Sequence, residues 1–83
     1  MNFLYFAWVR ERIGIAEEQL APPPEVTTVA ALLDWLAARS PGHAAALEDR
    51  SAIRVALDQA FVPLGAPLGR PAEIAIFPPV TGG

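Results

Sequence analysis

The sequence predicts an α+β roll, a mixed β-sheet with one main helix packed across it, and three observations carry that expectation. Short strand-like apolar runs stand at both ends of the chain. An amphipathic stretch with helical spacing lies between them, and prolines cluster where neither pattern could continue. At 83 residues the chain has room for a single core and buries only roughly 60 to 65% of its unfolded surface.

Residues 2–7 are apolar at nearly every position, which suits a central strand with both faces covered. Residues 9–13 fit one helical turn stopped by Gly14, and residues 16–21 alternate as a second strand, hairpin-like with the first, until Pro22, Pro23 and Pro24 end it. Thr27 or Thr28 caps the main helix, whose Val29, Leu32, Leu33 and Leu36 follow the i, i+3, i+4, i+7 spacing before Ser40-Pro41-Gly42 stops it. A short helical piece over 43–48 follows, then a strand over 53–57, a turn at Asp58-Gln59 and a brief strand around Phe61-Val62. Pro63, Pro67 and Pro71 forbid regular structure up to Glu73. The last strand, 73–77, sets Ile74 and Ile76 on one face and Ala75 and Phe77 on the other. The order ββαβββ in so short a chain is that of a β-grasp, or ubiquitin-like, roll. Residues 1–77 then form the domain and 78–83 an extended C-terminal tail.

Composition excludes several functions. The net charge is −3 and leaves no basic stripe for nucleic acid and no polybasic segment for a membrane. The N-terminal apolar run is too short to span a bilayer and lacks a signal-peptide layout, so a cytoplasmic location is expected. All six basic residues are arginine, so the chain brings no lysine for Schiff-base chemistry. It has no cysteine, hence no disulfide, thiolate metal site or protein persulfide. The hydrophobic fraction of 53% against 18% charged residues is high for a small domain, and a protein partner is expected to cover part of the excess.

No internal group reads as a nucleophile with its base. His43 stands alone after Pro-Gly and reads as a solvated surface side chain. Glu17-Glu18 and Glu48-Asp49 are adjacent pairs whose side chains diverge on either a strand or a helix, so they read as solvated charges. Arg10 and Arg12 flank Glu11, where a salt bridge and a partner contact are equally plausible. The C-terminus is different. Pro78 and Pro79 stiffen an arm continued by Val80 and Thr81. Gly82 and Gly83 then offer a backbone without side chains, able to pass a narrow channel and ending in a bare carboxylate.

The heptapeptide Phe77-Pro78-Pro79-Val80-Thr81-Gly82-Gly83 resembles the C-terminal signature of the molybdopterin synthase small subunits, the MoaD family of ubiquitin-like sulfur carriers. Tyr5-Phe6-Ala7-Trp8-Val9-Arg10-Glu11 and Val55-Ala56-Leu57-Asp58-Gln59 add support. The chain departs from the family in Asp58, where Asn is usual, and in Pro71-Ala72-Glu73, which replaces Gly-Asp-Glu and removes a carboxylate.

The resemblance implies that the Gly83 carboxylate is adenylated with ATP by a ubiquitin-activating-type adenylyltransferase. A sulfur donor protein then converts it to a thiocarboxylate, and the sulfur passes to cyclic pyranopterin monophosphate in the active site of a large subunit, within a heterotetramer. No cofactor is expected to be bound by this chain. Pro78, Pro79, Val80, Thr81 and Gly82 would enter the partner's channel, and Phe6, Phe61 and Phe77 would form an apolar docking face. A sulfur carrier for thiamine thiazole synthesis and a ubiquitin-like protein modifier are the rival readings.

Overall fold

The structure, a computed structural model, describes residues 1–79. Its elements run β1 (Asn2–Tyr5), α1 (Ala7–Ile13), β2 (Glu17–Gln19), α2 (Val29–Ala37), α3 (Pro41–Ala46), a 3₁₀ turn (Arg50–Ala52), β3 (Arg54–Leu57), β4 (Ala60–Val62) and β5 (Glu73–Phe77). One five-stranded sheet has the order β2-β1-β5-β3-β4. The β1–β5 pair is parallel and the other three are antiparallel, so the first and last strands lie side by side near the middle, as a β-grasp roll requires.

Local chemistry explains the boundaries. Phe6 stands extended ahead of α1, and Gly14 ends that helix in the left-handed region at φ 98°, its N–H bonded to the Arg10 carbonyl at 2.8 Å. Of the two threonines offered as caps for α2, Thr28 takes the role, its hydroxyl accepting the Ala31 N–H at 3.1 Å. Val29, Leu32, Leu33 and Leu36 are all fully buried. Such burial contributes about 1.5–3 kcal/mol for each large aliphatic side chain. The short helical piece starts earlier than residue 43, because Ser40 caps it and Pro41 occupies its first position.

The core lies between the helices and one face of the sheet, where Phe3, Tyr5, Val55, Ile74 and Ile76 meet α2. The expectation that β1 is covered on both faces fails. Phe3 and Tyr5 are buried, but Leu4 between them is only half-buried. The helices form a layer on one face only, and the chain is too short to supply a second.

Asp58 and Gln59 both have positive φ, 48° and 72°, which joins β3 to β4 through a two-residue turn of the primed kind. The Asp58 carboxylate accepts the N–H groups of Ala72 and Glu73 at 2.9 and 3.0 Å, fastening the turn to the start of β5. The two departures from the family pattern therefore meet in space. An aspartate at both 58 and 72 would set like charges close together, and alanine at 72 leaves Asp58 free to accept both amides.

Candidate functional site

The arm grows from a strand held on both sides. β5 pairs with β1 through Tyr5↔Ile76 and with β3 through Arg54↔Phe77, and the Phe6 N–H donates to the Ile76 carbonyl at 3.2 Å. Strand pairing thus reaches the last residue before the prolines. Pro78 and Pro79 follow, half-buried and outside any regular element. Val80, Thr81, Gly82 and Gly83, named above as channel and reaction residues, lie outside the described residues.

The sheet face turned away from the helices carries the aromatic residues singled out from the sequence. Register aligns Leu4, Ala75, Ala56 and Phe61 in one row across β1, β5, β3 and β4. Phe77 belongs to the same face, and its ring centroid lies 5.3 Å from that of Phe61, with the planes tilted by 45°. Phe61 is 77% exposed and Phe6, one residue past the Tyr5↔Ile76 pair, is 46% exposed. The structure thus brings Phe61 and Phe77 into contact and sets Phe6 at the end of the strand beside β5. A monomer gains little by exposing large rings so close together, whereas a partner surface gains by covering them.

Two readings of charged residues are corrected. His43 is not a solvated surface side chain: it is 7% exposed. Its Nε2 lies 2.7 Å from Glu18 Oε2, its Nδ1 lies 2.7 Å from the Ser40 hydroxyl, and the Tyr5 hydroxyl donates to the same Glu18 oxygen at 2.7 Å. Because a carboxylate only accepts, Nε2 carries the proton in this pairing. Glu18 is accordingly a half-buried acceptor and not a solvated charge, whereas its neighbour Glu17 is exposed.

Burial alone would raise the Glu18 carboxyl's pKa, but the hydrogen bonds from Tyr5 and His43, with the nearby His43 ring and Arg39 guanidinium, hold it below the usual range. The Tyr5 phenol is pushed up by burial first and by its bond to Glu18 second. This cluster fastens α3 to β1 and β2 within the fold, away from the open face. Sequence reading missed it because Glu18 and His43 are 25 residues apart, the Ser40-x-x-His43 capping spacing being the one local signal.

For Arg12 the structure shows a contact within the chain that neither reading named: its guanidinium lies 4.4 Å from the Trp8 ring centroid. Among the described residues the ion pairs are His43–Glu18 and Arg50–Asp34, so neither Arg10 nor Arg12 joins one.

Among the described residues no three His, Asp or Glu side chains converge as a metal site would need, and no helix is long and apolar enough to cross a membrane. A groove of about 570 Å³ is lined in part by Met1, Pro22, Pro24, Leu68 and Arg70. It sits where β1 and β5 begin, whereas the arm leaves from the opposite end of β5.

Comparison with known proteins agrees with this geometry. Residues 3–83 match the model of the ThiS family. The chain is 40% identical to the molybdopterin synthase sulfur carrier subunit of Haemophilus influenzae and 42% identical to that of Escherichia coli, in each case over 100% of this chain and 99% of the relative. Two crystal structures of small archaeal modifier protein 1 (SAMP1) from Haloferax volcanii superpose with TM-scores of 0.73 and 0.71, at 29% and 28% identity. They cover 100% and 96% of this chain and 98% and 97% of theirs.

Proposed function

The chain belongs to the ThiS family, and from that membership we propose that it is the sulfur carrier of a molybdopterin synthase, with the Gly83 carboxylate as the atom group that carries sulfur. The observation that carries the reading is the full-length similarity to two molybdopterin synthase sulfur carrier subunits. The exposed aromatic face beside the arm supports it.

Chemistry dictates the order of events. An α-carboxylate with a pKa of about 3.5 is ionised at neutral pH and is a poor electrophile. Adenylation by an activating enzyme converts one oxygen into a leaving group, and a sulfur donor displaces AMP to leave a thiocarboxylate. A soft anionic sulfur then stands at the end of the arm, in a chain that has no cysteine to carry one. The large subunit receives the arm, holds the cyclic pyranopterin monophosphate and supplies the catalytic pocket. Gly82 and Gly83 pass its channel, Pro78, Pro79, Val80 and Thr81 occupy the channel mouth, and Phe6, Phe61 and Phe77 dock beside it.

The test is the intact mass of the chain purified from cells making the cofactor, with fragmentation to localise any gain. Sulfur replacing oxygen within the Gly82-Gly83 fragment is the expected result. Localisation separates it from oxidation of Met1, the single methionine, which has nearly the same nominal mass. An unmodified terminus during active synthesis would refute the reading.

The structural likeness to small archaeal modifier protein 1 favours a second use, attachment of Gly83 to amines of other proteins. Isopeptide-linked adducts in the lysate would identify it. The same adenylated terminus serves both outcomes, so the nucleophile offered to it decides between them.

A further inference from the structure

Three described residues other than glycine have positive φ: Ala7 at 53°, Asp58 at 48° and Gln59 at 72°. The turn between β3 and β4 requires the last two. Ala7 stands instead at the junction of β1 and α1. An alanine in the left-handed region brings its Cβ against a neighbouring carbonyl oxygen and has no polar side chain to offset the cost. Packing in the described domain does not offset it either, because Ala7 is exposed.

What the conformation achieves is a corner. Phe6 is extended, at φ −128° and ψ 153°, and α1 begins at the very next residue. The reversal lets the Phe6 carbonyl accept the N–H groups of Val9 and Arg10 at 3.1 and 3.4 Å while its own N–H donates to Ile76. The backbone of Phe6 is thereby fastened to the helix on one side and to the arm-bearing strand on the other. Its ring, 46% exposed, projects from this fixed point one residue past the Tyr5↔Ile76 pair. A strained residue fixed by its surroundings, beside a functional arm and unrewarded by local packing, marks a pre-organised contact.

We propose that Ala7 is a positioning residue, whose left-handed backbone holds the Phe6 ring in place beside the arm for docking on an apolar surface of the sulfur-accepting subunit. The inference rests on the sulfur-carrier reading.

Ala7→Gly tests it, since glycine adopts the same φ without strain but frees the corner. The variant is expected to melt at or above the wild-type temperature yet bind the large subunit roughly two- to tenfold more weakly, the penalty of ordering one side chain on binding. Titration calorimetry on wild type, Ala7→Gly, Phe6→Ala and the double variant reads the coupling. Once the ring is gone, Ala7→Gly should cost almost nothing more. Unchanged affinity of Ala7→Gly, or an equal loss with and without the ring, overturns the assignment while leaving the sulfur-carrier reading intact. Failure of the wild-type chain to bind the large subunit at all would overturn both.

Discussion

Replacing Glu18 by Gln removes one charge from the cluster that ties β1, β2 and α3 together while keeping a carbonyl oxygen in the same place. Two hydrogen bonds end on Glu18 Oε2, from Tyr5 and from His43, each at 2.7 Å. A bond to a charged partner contributes about 1.5–3 kcal/mol and one between neutral groups about 0.5–1.5 kcal/mol. Neutralising the acceptor of two bonds therefore costs about 2 kcal/mol, reduced to about 1–2 kcal/mol because the Glu18 side chain remains 17% exposed. In a domain of this size that lowers the melting temperature by roughly 5–15 °C.

The pH dependence is equally definite. The Glu18 carboxyl is held below its ordinary value of 4.5 in the folded chain, so its stabilisation is fully present above that value and is lost as pH falls through the lower folded value. Thermal melts of both proteins, followed by circular dichroism from about pH 7 to about pH 3, should show a constant gap at neutral pH that narrows in acid. A gap that is absent, or that stays the same width at the acid end, would refute this account of the cluster.

Gly42 sits where a Cβ would lie 2.6 Å from the Arg12 carbonyl oxygen, so Gly42→Ala forces α3 off the end of α1 and should cost about 1–3 kcal/mol by chemical denaturation, despite the gain in helix propensity. Asp58→Ala removes the acceptor of two amides and should destabilise by about 1–2 kcal/mol, whereas Asp58→Asn should be nearly neutral because asparagine accepts the same bonds and tolerates positive φ. Phe61→Ser should change stability by less than about 0.5 kcal/mol, since the ring is 77% exposed, yet weaken large-subunit binding by more than about 1 kcal/mol in calorimetry.

Where the sequence was legible, the determinants were local. α2 is readable because four apolar residues at helical spacing and a threonine cap all act within one helix, and the structure buries those four residues completely. β5 matches its expected bounds because proline at 71 and again at 78 brackets an alternating run. The misreadings concern tertiary facts. An apolar run such as 2–7 has one pattern whether its second face meets a second layer of its own chain or waits for another protein. His43 shows nothing in its immediate neighbours of the carboxylate 25 residues away, and Gly42 reads as a helix breaker until the end of α1 is seen against it. Of the candidate site, the prolines were visible from position and the aromatic residues through the family resemblance, but the contact between Phe61 and Phe77 depends on a sheet order that periodicity alone does not supply.

The arrangement of polar groups explains why the fold can hold an apolar face open. The partly buried cluster of Tyr5, Glu18, His43 and Ser40 satisfies its own hydrogen bonds, and among the described residues no buried side-chain polar atom lacks a partner. The helical side of the sheet therefore satisfies its own polar side chains without help from what covers the other side. On that other side the row from Leu4 to Phe61 has small alanines, Ala75 and the already buried Ala56, at its centre and an exposed aromatic ring at its β4 end, so Phe61 is the side chain that stands out for a partner to cover. On the proposed function, a carrier that leaves an activating enzyme to enter a large subunit would need this independence. Were docking required for folding, release of the arm would unfold the chain; with the core closed on one face, binding energy remains available for placing the arm.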